Sequence, residues 1–135
     1  MRAADLMTKA IRAGLSARVL LNAGDADGAC NRAYYAMFDA ARAALLVYGH
    51  DVGRTHQGVL NAFSEHLVKN GPLTKETGRL LKQAETFRYV ADYEGNPVET
   101  SDARVMVEQA EQFIKVIRNE PTLGPQLAPH DESGT

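Results

Sequence analysis

Apolar residues recur at helical spacing along most of the chain. From about residue 4 to residue 22, Met7, Ala10, Ile11, Ala17, Leu20 and Leu21 form one stripe, which predicts an amphipathic helix ended by Asn22-Ala-Gly24. A second helix follows to about Tyr48, with Asp25 or Asp27 as its N-cap, because a short carboxylate accepts the N–H groups that a first turn leaves unpaired. Its apolar positions Ala33, Met37, Ala40 and Ala44, beside Tyr34, Phe38, Ala41, Leu45 and Tyr48, make a stripe broad enough for burial on more than one side. Gly49-His-Asp-Val-Gly53 reads as a turn, and Thr55 caps a shorter third helix with Val59, Leu60, Phe63 and Leu67 inward. Asn70-Gly71-Pro72 ends it. A fourth helix from about Thr74 to Tyr93 buries Leu80, Ala84, Phe87 and Ala91, and Gly95-Asn96-Pro97 breaks the chain again. Thr100 or Ser101 starts a fifth, with Ala103, Met106, Ala110, Phe113 and Ile117 on one face.

Short connections make successive helices antiparallel neighbours, so the expected fold is all-α, an up-and-down antiparallel bundle of four to five helices over residues 1–118. From residue 119 the periodicity stops, and NEPTLGPQLAPHDESGT predicts a disordered Pro-rich tail over residues 119–135. Composition agrees with this reading. Twenty alanines and thirteen leucines stand against three isoleucines, and all five prolines fall at Pro72, Pro97, Pro121, Pro125 and Pro129.

Charge changes the picture only in part. Fifteen Lys and Arg against seventeen Asp and Glu give a net −2 over 135 residues, which excludes a protein that grips duplex DNA by bulk charge. The final segment holds Glu120, Asp131 and Glu132 with no base, so residues 1–118 carry 15 basic against 14 acidic residues, and ten of the bases are arginine. Arginine suits forked phosphate contacts, so the total charge does not exclude a cleft that holds a few of them.

The single Cys30 excludes an internal disulfide and a multi-thiolate zinc site. No run of apolar residues is long enough to span a membrane, and MRAADLMTKAIRAG lacks the apolar core of a secretory signal, so the expected compartment is the cytoplasm. There is no phosphate-binding glycine loop, HExxH motif or nucleophile elbow, hence no cofactor and no metal is expected.

If the second, third and fourth helices alternate in direction, the end of the second, the start of the third and the end of the fourth meet at one pole. That pole collects Tyr48, His50, Arg54, His56, Arg88, Asp92 and Tyr93, with Asn31 and Arg32 at the other. Arg88 and Asp92 stand one helical turn apart, a spacing that reads first as an intrahelical ion pair and only second as a site. Tyr34 and Tyr35 read as packing aromatics, and Cys30 as a small packing residue.

The chain resembles the HEPN superfamily of small helical domains. The resemblance rests on Asn31-Arg-Ala-Tyr-Tyr-Ala-Met-Phe38, Thr55-His-Gln-Gly58, Arg88-Tyr-Val-Ala-Asp-Tyr93 and Glu111-Gln-Phe-Ile-Lys-Val-Ile117, and covers about residues 5–118. It implies a homodimeric helical bundle, in many members a metal-independent endoribonuclease used as a toxin or in phage defence, beside a minimal nucleotidyltransferase. Asn31, Arg32 and Tyr35 belong to the matching phrases.

The family's active motif is an arginine followed a few residues later by a histidine. Arg88 matches the arginine, whereas Asp92 and Tyr93 occupy the segment where the histidine belongs. Metal-free RNA cleavage needs a group that takes the 2′-hydroxyl proton, one that protonates the leaving oxygen, and positive charge on the phosphate. Histidine suits proton transfer near neutrality and aspartate does so less well. The expectation is therefore that His56 substitutes, acting with Arg88 and Asp92. Some members are neutralised by AMP attached to a tyrosine near the motif, for which Tyr93 is the matching acceptor and Tyr89 a weaker one. A competing reading is a non-catalytic HEPN module that partners a nucleotidyltransferase and binds nucleotide or RNA.

Overall fold

A computed structural model describes residues 2–95 and 97–128, apart from the side chains of Val90, Asp92, Tyr93 and Glu94. The elements are α1 (Ala3–Asn22), α2 (Ala26–Val47), α3 (His56–Phe63) continued by one wide π-helical segment (Ser64–Lys69), α4 (Lys75–Glu94), α5 (Thr100–Asn119) and a short α6 (Gly124–Leu127). The described residues form no strand. None of the helices is long and apolar enough to cross a membrane.

The central element is α2. Its twelve buried residues, seven of them alanines, face neighbours on several sides, as the broad stripe predicts. Small side chains let the helices approach closely. A methyl group added at Gly14 of α1 would stand 3.7 Å from Ile114 of α5 and 4.0 Å from Ala36 of α2, so three helices converge there. Asp25 caps α2 by accepting from the Gly28 N–H at 2.8 Å, and Thr55 and Thr74 cap α3 and α4 in the same way. Gly95 ends α4 in the left-handed region with φ 72°, where a side chain would be strained.

The four long helices α1, α2, α4 and α5 alternate in direction. Arg18 of α1 pairs with Glu111 of α5, Gln83 of α4 bonds Gln109 of α5, and the last turns of α4 lie beside the first turns of α2. The bundle is thus up-and-down, but α3 is not one of its legs. Residues 48–55 run back along α2, held by a 3.1 Å bond from the Arg42 side chain to the Gly53 carbonyl, so α3 starts beside Tyr34 and Phe38 instead of beside Tyr48. Counting α3 as a leg reverses α4, and this corrects the expected poles.

The expected tail also needs correction over residues 119–128. The last turn of α5 reaches Asn119, a turn follows, and α6 folds back so that Leu123 and Leu127 are buried. The Tyr48 hydroxyl bonds Thr122 at 2.8 Å across this seam. Two leucines four residues apart were the signal, obscured by the prolines around them. Residues 129–135 lie outside the described residues.

Candidate functional site

The chemistry-bearing side chains gather where the first half of α2, the start of α3 and the last turns of α4 meet. Thr55 caps α3 and so fixes the position of His56, its first residue. The imidazole packs among the rings of Tyr34, Tyr35 and Phe38, with centroids 5.4, 6.1 and 4.9 Å away, while its side chain stays 37% exposed. One edge is therefore held by aromatic packing and another reaches solvent.

Tyr34 is fully buried, and its hydroxyl lies 2.5 Å from His56 Nδ1. Burial, then the hydrogen bond and charge of Glu85, push its phenol well above the ordinary range, against a smaller opposing effect of Arg88. Tyr34 therefore keeps its proton. For Glu85, burial pulls the carboxyl up, but hydrogen bonds from Tyr34 and Arg88, with the charges of Arg88 and His56, outweigh it and hold it below the usual carboxylate range. Glu85 is thus an anion.

His56 meets both groups through Nδ1: the Tyr34 hydroxyl shares a 2.5 Å hydrogen bond with that nitrogen, and Glu85 Oε2 lies 3.8 Å from it. Nε2 is then the ring nitrogen left for another partner, the position from which an imidazole can exchange a proton with a substrate. Glu85 also accepts from Arg88 at 3.1 and 3.4 Å, and the Arg88 guanidinium lies 4.9 Å from the Tyr34 ring centre, where the ring's negative face stabilises it. With its side chain 14% exposed, Arg88 is a preset cation at the edge of the site.

The structure thus joins His56 to Arg88 through Tyr34 and Glu85, two residues that sequence reasoning left out of the site. A signal existed for each. Glu85 and Arg88 are three apart and share a helix face, and a buried tyrosine hydroxyl requires a partner. Asn31, expected at the far pole, lines a cavity of about 250 Å³ with Asp27, Cys30, Ala91 and Arg88. Tyr35 is half-buried against His56, and Arg32 follows the same face of α2 one turn earlier. The side chains of Asp92 and Tyr93 lie outside the described residues. Tyr48 and His50 are not at the site, since Tyr48 bonds Thr122 and His50 stacks on His66 at 3.8 Å. Among the described residues no three His, Cys, Asp or Glu form a group that could hold a metal ion.

Comparison with known proteins covers the same span. The model of the HEPN domain matches residues 3–120. A "UPF0332 protein" of Gloeobacter violaceus is 36% identical over 114 residues, covering 83% of this chain and 90% of that protein. Another of that name, from Thermotoga maritima, is 36% identical over 75% of this chain and 76% of its own length. A Methanocaldococcus jannaschii protein named "Putative toxin MJ0605" is 31% identical over 64% of each chain. The matched span takes in every long helix of the bundle and all four residues of the network, and on that ground the chain belongs to the HEPN domain family.

Proposed function

We propose that this chain is the toxin component of a toxin–antitoxin or phage-defence pair and acts as a metal-independent endoribonuclease. One observation carries the reading: Tyr34 engages His56 through Nδ1 and so leaves Nε2 for a substrate, while Glu85 meets both His56 and the Arg88 cation. The relatives named as toxins in Methanocaldococcus jannaschii support the cellular role.

In this reading, His56 Nε2 takes the 2′-hydroxyl proton, the freed oxygen attacks phosphorus, and the bond to the 5′-oxygen breaks to leave a 2′,3′-cyclic phosphate. Arg88 compensates the charge that grows on the phosphate oxygens. A homodimer, which the family resemblance implies, brings two copies of His56 and Arg88 to one phosphate, the second imidazole protonating the leaving oxygen. Tyr34 and Glu85 act by positioning His56. The cognate minimal nucleotidyltransferase neutralises the toxin by transferring AMP to Tyr93.

Induction of the wild type and of Arg88→Ala and His56→Ala, with cell growth and RNA integrity as readouts, tests the reading. The wild type stops growth and fragments RNA, and each substitution relieves both effects. Full toxicity of both variants overturns it. The competing reading, a non-catalytic module that partners a nucleotidyltransferase and binds nucleotide or RNA, is favoured by Asp92 standing where the family's histidine belongs. It is distinguished by nucleotidyltransferase binding without any RNA fragmentation.

A further inference from the structure

A half-buried edge of α2 carries a second feature, which the proton-transfer network does not use. Arg32, Tyr35, Asp39 and Arg42 follow at spacings of three, four and three residues, so they lie along one helix face. That face begins at the site itself, because the Tyr35 ring stands 6.1 Å from His56. Asp39 lies within the electrostatic reach of Lys9 from α1, of Arg32 and Arg42 from its own helix, and of Arg54 from the segment before α3. Cations from three segments therefore act on one carboxylate.

Only Arg42 is committed. It stands 3.9 Å from Asp39 and holds the returning segment through the Gly53 carbonyl. Lys9, Arg32 and Arg54 form no ion pair or hydrogen bond of their own among the described residues, and Lys9 and Arg54 are exposed. In a chain with a net charge of −2, such a local excess is a feature of this face and not of the whole surface. Uncommitted cations beside a partly exposed aromatic ring are the means by which proteins hold single-stranded nucleic acid, phosphates on the cations and a base on the ring.

We propose that this face binds the single-stranded RNA leading into the His56 and Arg88 site, with Lys9, Arg32 and Arg54 contacting phosphates and one base stacked on Tyr35. The proposal rests on the reading that RNA is the substrate. From Arg32 to Arg42 the helix rises about 15 Å, well short of the roughly 34 Å of a duplex turn. Stacking on Tyr35 also requires an unpaired base, so a single strand fits and a duplex does not. An acidic protein surface would match the cations, but it would make no use of a ring continuous with His56.

The test measures the affinity of a fluorescent 2′-O-methyl RNA oligonucleotide, which has no 2′-hydroxyl to react, across a salt series. The wild type binds. Arg32→Ala and Arg54→Ala each weaken binding about three- to tenfold and each lower the slope of log affinity against log salt by about 0.7. Tyr35→Leu weakens binding about tenfold with the slope unchanged, while Asp39→Asn, which removes the opposing charge, tightens it. If the wild type cleaves no RNA yet binds with these dependences, the nuclease reading fails and this proposal stands. Absence of binding by the wild type overturns it. So does wild-type affinity and slope in Arg32→Ala, Arg54→Ala and Asp39→Asn, including the case in which those variants instead lose a protein partner.

Discussion

The Arg88 guanidinium lies 4.9 Å from the centre of the Tyr34 ring, whose hydroxyl lies 2.5 Å from His56 Nδ1. A buried tyrosine thus touches both the cation and the imidazole. Tyr34→Phe keeps the ring and the packing but removes the hydroxyl that bonds His56 Nδ1. RNA cleavage by this variant is expected to fall about ten- to a hundredfold, with stability lower by about 1 kcal/mol for the lost hydrogen bonds. A cleavage assay paired with thermal unfolding separates the two effects, and cleavage at the wild-type rate would remove Tyr34 from the mechanism.

Glu85 ties the site to stability. Its folded carboxyl titrates below its unfolded value, so its contribution to stability is present above the unfolded carboxylate pKa and is lost as pH falls through the lower folded one. Urea unfolding followed from pH 7 down to pH 2 should show this acid-dependent loss. In Glu85→Gln the protein is less stable at pH 7, and the difference from wild type closes at low pH. An equal difference at both ends of the series would contradict the assigned ionisation.

The long helices were legible in the sequence because each repeats its apolar residues over several turns and carries its own punctuation, Asp25 and Thr55 as caps, Gly95 as a stop. What periodicity does not encode is where a connection goes. The residues from Tyr48 to Thr55 read as a turn, but a single bond from Arg42 to Gly53 lays them back along α2. That one contact moves His56 away from Tyr48 and His50 and sets it beside Tyr34. Arg88 and His56 both meet Tyr34 and Glu85, although not through the pole from which their proximity was expected, and Tyr34 and Glu85 were assigned to packing or passed over. A polar role for a tyrosine inside an apolar stripe depends on what faces it from another helix, and the stripe itself carries no such information.

Cys30 tests how tightly the first turns of α2 are closed. Burial, with the negative charges of Asp27 and Asp102, pushes its thiol up to about 11, although it lines the cavity beside Arg88. At pH 8 the thiolate is scarce, and Ellman's reagent should react slowly with the native protein and rapidly in urea, where the thiol returns to about 8.5. Fast modification of the native protein would mean that the cavity wall opens readily.

The refolded segment after α5 gives the last test. Leu123 and Leu127 are 0% and 1% exposed, and α6 is one turn long, so it has almost no helical stability of its own. Burial of these two side chains is what holds the segment against the bundle. Leu127→Ala should cost about 2–4 kcal/mol, while Thr122→Ala, which removes only the exposed hydrogen bond to Tyr48, should cost about 0.5–1 kcal/mol. Chemical unfolding of the two variants beside the wild type measures both. A Leu127→Ala protein as stable as the wild type would mean that residues 120–128 do not pack on the bundle in solution, and the expectation of a disordered segment from residue 119 would then be the better description.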